Sequence, residues 1–373
     1  MKNTKLTVNI IELVSKEWTV EEVDNNLFKV YYVNKGRGNS PKPFILPKII
    51  EINSKFMEAV GMYLGDGKLS ADDKHLGFSS IDMDMSRFIL DFFITTFKIS
   101  LKDMTISIRF KEFKKKKLAN WSKALDVPIS KLKVQLTQRT RNESCEMQIS
   151  GKVFRIIFEN ILNTIRKSDF LENQELRRAF LRGIFAAEGN IAINSKENYI
   201  VCIQFCLCYH ELKLLELIQK ALRLENVTSK IIKRQKDTSL TIQITNWNNY
   251  YKLWKMDLFI RNLRKEFQFL NKLKITRFSC KINKNMKEKL FTNQYFSDRQ
   301  LGYLIGAYPT LFHKTRYNKN EFIKVEFLIN LAKISSISLE EVKSNLIEFR
   351  VNDITPINDK EFIDFIFNLK HFI

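Results

Sequence analysis

The sequence predicts an α+β fold assembled from two related repeats. Three observations carry that prediction. A glycine-flanked helix end bearing one acid occurs twice, at Gly61-Met62-Tyr63-Leu64-Gly65-Asp66-Gly67 and at Gly183-Ile184-Phe185-Ala186-Ala187-Glu188-Gly189. Stretches that alternate apolar and polar residues follow each copy, which is the period of a half-buried strand. An apolar helical stretch accompanies each group of strands: Phe88, Leu90, Phe92, Phe93 and Phe97 in the first, and Leu212, Leu214, Leu215, Leu217, Ile218 and Leu222 in the second.

Each helix end is preceded by a helical pattern. Asn53 or Ser54 supplies an N-cap for Lys55–Val60, and Glu175–Arg182 leads into the second copy. Gly61 with Gly65, and Gly183 with Ala187, are spaced i, i+4. That spacing places small residues on one helix face, where two backbones can approach. Gly67 and Gly189 are expected in the left-handed conformation that ends a helix. A carboxylate then sits in each last turn, at the negative end of the helix dipole, where it is disfavoured by roughly 0.3–1 kcal/mol. Two such helices packed face to face bring Asp66 and Glu188 together, and the pair calls for a cation.

The strands follow from period two. In Met104–Lys111 the apolar residues Met104, Ile106, Ile108 and Phe110 alternate with Thr105, Ser107, Arg109 and Lys111. In Lys131–Arg139, Leu132, Val134 and Leu136 alternate with Lys131, Lys133, Gln135, Thr137 and Arg139. In Ser239–Thr245, Leu240, Ile242 and Ile244 alternate with Ser239, Thr241, Gln243 and Thr245. Tyr199–Tyr209 puts Tyr199, Val201, Ile203, Phe205 and Leu207 on one face, and Cys202, Gln204, Cys206 and Cys208 on the other. The Cys206, Cys208, His210 string has no second cysteine pair at zinc-ribbon spacing, and alternating strand residues converge poorly on one ion.

Composition narrows the partner. The 373 residues carry 62 Lys and Arg against 41 Asp and Glu, a net charge of +21. An excess of that size suits a polyanion, nucleic acid or an anionic membrane. The charge is local: residues 101–141 hold 12 basic and 3 acidic side chains, residues 213–290 hold 19 and 6, and residues 320–373 hold 6 and 9. No stretch approaches the roughly 20 apolar residues of a membrane span, and the N-terminus has no signal-peptide core. An intracellular protein, in cytoplasm or an organelle matrix, is expected. Five cysteines argue against a secreted disulfide scaffold. Thirty phenylalanines argue against disorder.

The segments AVGMYLGDG and LRGIFAAEG resemble the two signature helices of the LAGLIDADG homing endonuclease family, here as a single chain with two motifs. The match holds at the glycines and acids and departs at Leu64 and Ala186, where the namesake motif has its first Asp. The resemblance covers roughly residues 41–280, and the two acids are 122 residues apart, a sensible repeat length. It implies two pseudo-symmetric αββαββα repeats forming a DNA-binding saddle. It also implies a metal-dependent endonuclease that hydrolyses phosphodiester bonds at a long, imperfectly palindromic duplex. Asp66 and Glu188 become the catalytic acids and metal ligands, with Gly65 and Ala187 adding backbone carbonyls. Mg²⁺ is the expected cofactor, since hard oxygen ligands and a phosphate substrate favour it. Lys167 and Lys265 are the candidate basic residues of the active site.

On that saddle the wet strand faces are expected to meet DNA: Thr105, Ser107, Arg109 and Lys111; Lys131, Lys133, Gln135, Thr137 and Arg139; Gln204 and Cys206; Thr241, Gln243 and Thr245. Such side chains read base edges or hold phosphates, and acids are scarce among them. Two fused repeats imply a monomer. The expected organisation is an N-terminal extension (1–50), repeat one (51–170), repeat two (171–290) and a mainly helical C-terminal extension (291–373). In the last, Phe322–Lys333 and Leu339–Phe349 read as two helices, with Ser338 and Glu341 as a capping box. Its negative charge argues for packing rather than phosphate binding. Tyr303–Ala307 faintly resembles the signature helix but has no acid. The same fold supports two alternatives, an RNA maturase that binds intron RNA and a cleavage-inactive transcription regulator. The two acids favour the nuclease over the regulator.

Overall fold

The computed structural model describes residues 6–32, 42–69, 74–138, 142–194, 199–233, 239–273, 278–292, 300–301, 316, 322–351 and 355–369. The chain divides into two compact units, residues 1–192 with 202–267, and residues 193–201 with 268–373.

The first unit opens with five short strands: β1 (Thr7–Asn9), β2 (Thr19–Glu22), β3 (Leu27–Tyr31), β4 (Phe44–Pro47) and β5 (Ile49–Glu51). Strands β2, β3 and β4 form an antiparallel meander, and β1 pairs with β5. The first repeat follows: α1 (Ser54–Asp66), β6 (Gly67–Leu69), β7 (His75–Ser80), α2 (Met83–Phe97), β8 (Met104–Phe110), α3 (Lys115–Leu125), β9 (Leu132–Leu136), β10 (Ser144–Ser150) and α4 (Lys152–Lys167). The second repeat comprises α5 (Gln174–Glu188), β11 (Gly189–Asn194), β12 (Tyr199–Cys208), α6 (Leu212–Leu224), β13 (Lys230–Lys233), β14 (Ser239–Ile244) and α7 (Trp247–Lys255), followed by α8 (Leu263–Lys272).

The two sheets share a topology. The first has order β6-β7-β10-β8-β9 and the second β11-β12-β14-β13. Strand for strand, the first four members correspond. The difference is an insertion: β9 runs parallel to β8, and a parallel partner needs a crossover, which α3 supplies. The strand expected over Lys131–Arg139 is shorter than the alternation suggested. Residues 129–131 form a single 3₁₀ turn after Pro128, and β9 spans Leu132–Leu136. Arg139 lies outside the described residues. As an edge strand β9 leaves Val134 and Leu136 exposed.

The first repeat is held by aromatic packing. Phe56, Phe92, Phe93, Phe97, Phe154 and Phe158 are buried together, with ring centroids 5.3–6.4 Å apart. Tyr63 meets Phe158 edge-on at 4.9 Å. This cluster accounts for the phenylalanine-rich helical stretch. In the second repeat Phe185 packs edge-on against Phe205 at 5.5 Å and Phe259 at 5.2 Å, and α6 buries Leu214, Leu215, Ile218 and Leu222.

Helices α1 and α5 are joined through their small residues. Asn53 caps α1, accepting from the Phe56 N–H at 3.0 Å, and Asn173 caps α5, accepting from the Leu176 N–H at 3.2 Å. A Cβ at Gly61 would fall 2.5 Å from the Phe180 carbonyl oxygen, and one at Gly183 only 2.0 Å from the Glu58 carbonyl oxygen. No side chain fits between these backbones. Gly67 and Gly189 are not left-handed as expected: their φ values are −76° and −71°, with extended ψ. Steric closeness, not handedness, requires glycine there. A Cβ at Gly67 would lie 2.2 Å from the Tyr63 carbonyl oxygen, and one at Gly189 2.3 Å from the Phe185 ring.

In the second unit, strand Phe278–Ile282 pairs antiparallel with Ile323–Lys324 and with Leu346–Val351, which pairs with Thr355–Pro356. Helices span Lys284–Phe291, Val325–Ile334, Leu339–Ser344 and Lys360–Asn368. Phe278, Phe349, Phe362 and Phe367 contribute to its core. Ser338 caps, accepting from the Glu341 N–H at 3.1 Å, but the Glu341 side chain pairs with Lys289 instead of completing the expected capping box. The helix expected to reach Phe349 stops at Ser344, because Phe349 and Val351 alternate into the sheet core. Tyr303–Ala307 lies outside the described residues.

The α1–α5 contact predicts that Gly183→Ala lowers stability by about 3 kcal/mol or more, since overpacking here meets backbone rather than a movable side chain. Gly77→Ala is the control: its Cβ would meet nothing nearer than 3.5 Å. Denaturant melts of both variants test this. Equal, small losses would rule out the close backbone contact.

Candidate active site and nucleic-acid face

The α1–α5 contact carries the acids to one place. A Cβ at Gly65 would approach Cβ of Ala187 at 2.5 Å and Cγ of Glu188 at 2.9 Å. The last turns of the two helices are therefore in contact, with Asp66 one residue on from Gly65. Both carboxylates are half-buried. Among the described residues, no hydrogen-bond donor or ion-pair partner meets either one.

Their titration reflects that isolation. Burial raises Asp66 from its ordinary 3.8 to about 6, with Asp82 pushing the same way and Lys265 opposing. Burial raises Glu188 from 4.5 to about 7, and the neighbouring Asp66 charge adds to the rise. Desolvation, with a neighbouring carboxylate adding to it in each case, accounts for both directions.

Lys265 acts as a cationic counterweight to both acids and is itself buried. It stands in the first turn of α8. Its Nζ donates to the carbonyls of Phe185 (3.0 Å), Ala186 (2.6 Å) and Ala187 (3.1 Å). The ammonium thus caps the negative end of α5 with all three of its protons. Burial lowers its pKa to about 8, partly against the pull of Asp82, Asp66 and Glu188. Lys167, in contrast, is exposed at the end of α4. Six residues separate it from the N-terminus of α5, the end opposite Glu188, and a 15-residue helix is about 22 Å long.

A set of residues the sequence reading did not single out fastens this site. Asp82 receives Arg264 Nε at 2.9 Å and Arg264 Nη2 at 3.0 Å on its two oxygens. Asn262 Nδ2 donates to Asp82 at 2.8 Å and to the Ala186 carbonyl at 3.1 Å. Burial alone would raise Asp82, but Arg264 and Asn262 hold it below the usual range. Nearer the helix starts, Glu58 is buried between Arg182 (2.6 Å) and Arg261 (2.5 Å). The only advance signal for these was position: Asn262 and Arg264 fall beside Lys265 in the basic stretch of residues 213–290.

A cavity of about 430 Å³ opens beside Asp66, lined also by Ser79, Ser80, Asp82, Asn142, Ala187 and Arg264. Among the described residues, no group of three or more His, Cys, Asp or Glu side chains forms a metal cage. Mg²⁺ needs no such cage; it is often held by one or two carboxylates together with substrate phosphates. Asp66 and Glu188, converging and without partners, fit that requirement. The Ala187 carbonyl already receives Lys265, and Gly65 lies at the contact between the helices.

The expected DNA-facing residues divide by exposure. On the first sheet Thr105, Ser107 and Arg109 share a face with Lys133 and Gln135 of β9, opposite Gln148 and Glu146 of β10. Lys133 and Gln135 are exposed, and Lys131 is exposed in the turn before them. Ser107 is buried and Thr105 half-buried. Arg109 is tied to Glu146 and donates from Nε to Gln135 at 3.2 Å, so an acid does stand on this face. Lys111 is exposed beyond the end of β8, and Thr137 is half-buried, its N–H on the Phe110 carbonyl at 2.9 Å. On the second sheet Gln204 faces Gln243, and Cys206 faces Thr241. Gln204 and Thr241 are buried, Cys206 and Gln243 half-buried, and Thr245 exposed just past β14.

Residues 175–255 match the family model of a LAGLIDADG-like domain. No curated protein sequence matches the chain. Among solved structures, mesophilic variants of the homing endonuclease I-DmoI align at 16% identity, covering 55% of this chain and 96% of theirs, with a TM-score of 0.31. I-DmoI in complex with DNA and Ca aligns at 15%, covering 55% and 90%, with a TM-score of 0.30. Full-length DUF199/WhiA from Thermatoga maritima aligns at 13%, covering 76% and 92%, with a TM-score of 0.32. The LAGLIDADG-like match spans α5 to α7 of the second repeat, and the first repeat carries a corresponding helix, sheet and terminal acid.

A pH prediction follows from the raised carboxyls. Their folded pKa values lie above the ordinary ones, so folding favours the protonated forms. That contribution is full below about pH 4 and is lost as pH rises through 6 and 7. In chelator, Asp66→Asn and Glu188→Gln should therefore melt close to wild type at pH 4 and a few degrees above it at pH 8. This is on the order of 1 kcal/mol after allowing for solvent screening. Variants that melt below wild type at pH 8 would show the carboxylates to be compensated.

Proposed function

We propose that this protein is a metal-dependent, site-specific endonuclease acting on double-stranded DNA as a single chain. The observation that carries the reading is the pair Asp66 and Glu188: desolvated, adjacent, and without a compensating donor. Natural cores do not leave two like charges together without a use for them, because each uncompensated charge costs stability. The I-DmoI structures with DNA and Ca or Mn support the same reading.

Asp66 and Glu188 are the groups to hold a divalent cation, with Mg²⁺ the expected one. When bound, it supplies charge neutralisation at the scissile phosphate and an acidified water. The chain's own contributions are separate. Lys265 is fixed by three carbonyls beside the acids, where its positive charge faces a phosphate drawn into the site. Arg264 and Asn262 hold Asp82 and keep the α5 end in place. Lys131, Lys133 and Gln135 present the first sheet's exposed polar groups to a duplex, while the pseudo-twofold pairing of repeats suits a long, imperfectly palindromic site.

The test is cleavage of duplex DNA spanning the gene's own insertion site, with Mg²⁺ and with chelator. Asp66→Asn and Glu188→Gln should each reduce double-strand cleavage by at least about 100-fold, the scale seen when one electrostatic stabiliser is removed, while duplex binding remains. Mg²⁺ should raise the melting temperature of wild type at pH 8 and not that of either variant. Full cleavage by either variant would end this assignment.

A further inference from the structure

Arg264 and Lys265 are neighbours in sequence and differ in what each has left to give a substrate. Lys265 is 4% exposed and directs its three ammonium protons to the carbonyls of Phe185, Ala186 and Ala187. To contact a substrate oxygen it would have to release one of those carbonyls. A buried polar group left unmet in this way is unfavourable. Lys265 therefore offers charge and no free proton.

Arg264 is placed the other way. Its side chain is 53% exposed, while that of Asp82, which holds it, is 11% exposed. The Asp82 oxygens accept from Nε and Nη2 at 2.9 and 3.0 Å. A paired contact of this kind fixes the plane of the guanidinium. Asp82 is fixed in turn by Asn262 Nδ2 at 2.8 Å. The third nitrogen of Arg264, Nη1, meets no acceptor among the described residues. Arg264 and Asp82 both line the cavity of about 430 Å³ beside Asp66, and Arg264 is the one cationic side chain among its described lining residues. Ser79, on the same cavity wall, stands in register with Glu146, Ser107 and Lys133 across the first sheet. The cavity thus adjoins the sheet face that carries Lys133. Asp66, Asp82 and Glu188 share this neighbourhood with the two cations. An anion brought to Asp66 meets carboxylates on several sides, so it needs a donor within reach.

We propose that Arg264 is a catalytic residue, whose Nη1 donates to a non-bridging oxygen of the phosphodiester brought to Asp66, while Lys265 acts as a fixed charge behind the α5 carbonyls. The inference rests on the endonuclease reading above and adds a substrate contact to it. The guanidinium keeps its protons throughout, since arginine does not deprotonate in proteins. Its action is to stabilise the negative charge on the phosphoryl oxygens as the bond to the leaving oxygen breaks.

The experiment uses the full chain and a duplex spanning the gene's own insertion site. Single-turnover cleavage is followed in Mg²⁺ with protein saturating, and duplex affinity against salt is measured in Ca²⁺. Arg264→Gln should slow the saturated rate by about 100-fold and lower the slope of log affinity against log salt by about one, the loss of one phosphate contact. Arg223→Gln, which removes the same charge from the exposed side of α6, should keep both. The double variant Asp82→Asn with Arg264→Gln removes both charges of the pair and leaves two amides that can still hydrogen-bond. It should melt close to wild type and remain about 100-fold slow. Recovery of its rate to near wild type would overturn the proposal, because Arg264 would then matter only as the partner of Asp82. A wild-type rate in Arg264→Gln, with Asp66→Asn inactive, would also overturn it and leave the endonuclease reading standing. No cleavage by the wild-type protein would remove both.

Discussion

Helices α1 and α5 approach until their backbones touch, and the rest of the first unit is arranged around that contact. Gly61 lies against the Phe180 carbonyl and Gly183 against that of Glu58, with no room for a Cβ at either. The same contact sets the separation of the two sheets, because β6 and β11 start at the residues that end these helices. It also sets the separation of Asp66 and Glu188. Any side chain added between the helices would have to move both sheets and both acids together, since packed interiors transmit strain rather than absorb it.

This closeness has an electrostatic consequence. The acids stand at the negative ends of two helices and in partly desolvated surroundings, so each feels its own helix, its partner and the loss of water. The protein offsets part of this through Lys265, whose ammonium is spread over three carbonyls of α5 rather than paired to a carboxylate. The carboxylates remain open to a ligand while the helix end is neutralised. Glu58, set between Arg182 and Arg261, shows the contrasting solution earlier on the same helix: a buried acid fully satisfied by two guanidiniums. The difference between a satisfied Glu58 and an unsatisfied Asp66 on the same helix separates a structural acid from a candidate catalytic one.

The repeats are related but not equal. Their first four strands correspond, yet the first repeat carries α3 and β9, which bring a run of lysines and an edge strand. The polar face of the second sheet is more enclosed, with Gln204 and Thr241 buried. Under the proposed function, unequal edges on an approximately symmetric scaffold suit a target whose half-sites differ.

The sequence by itself determined the two glycine-bearing helices, the N-cap of α1, the strands of the two sheets and the two acids. These depend on local periods and on residue types at fixed spacing, which the chain carries without reference to distant partners. Even the error at Gly67 and Gly189 was of this kind: glycine was correctly required, but its reason is the nearby Tyr63 and Phe185, not a left-handed turn. Only the tertiary structure decided which basic residue joins the acids. Lys167 and Lys265 are equally plausible lysines in a chain rich in them, and one is exposed while the other is buried on the end of α5. It also decided that Arg109 is held by Glu146 and that Asp82 is bound by Arg264 and Asn262. These pairings join residues 37 to 182 positions apart. Periodicity reports which face a residue is on, but which side chains meet across such separations is set by how the helices and sheets pack.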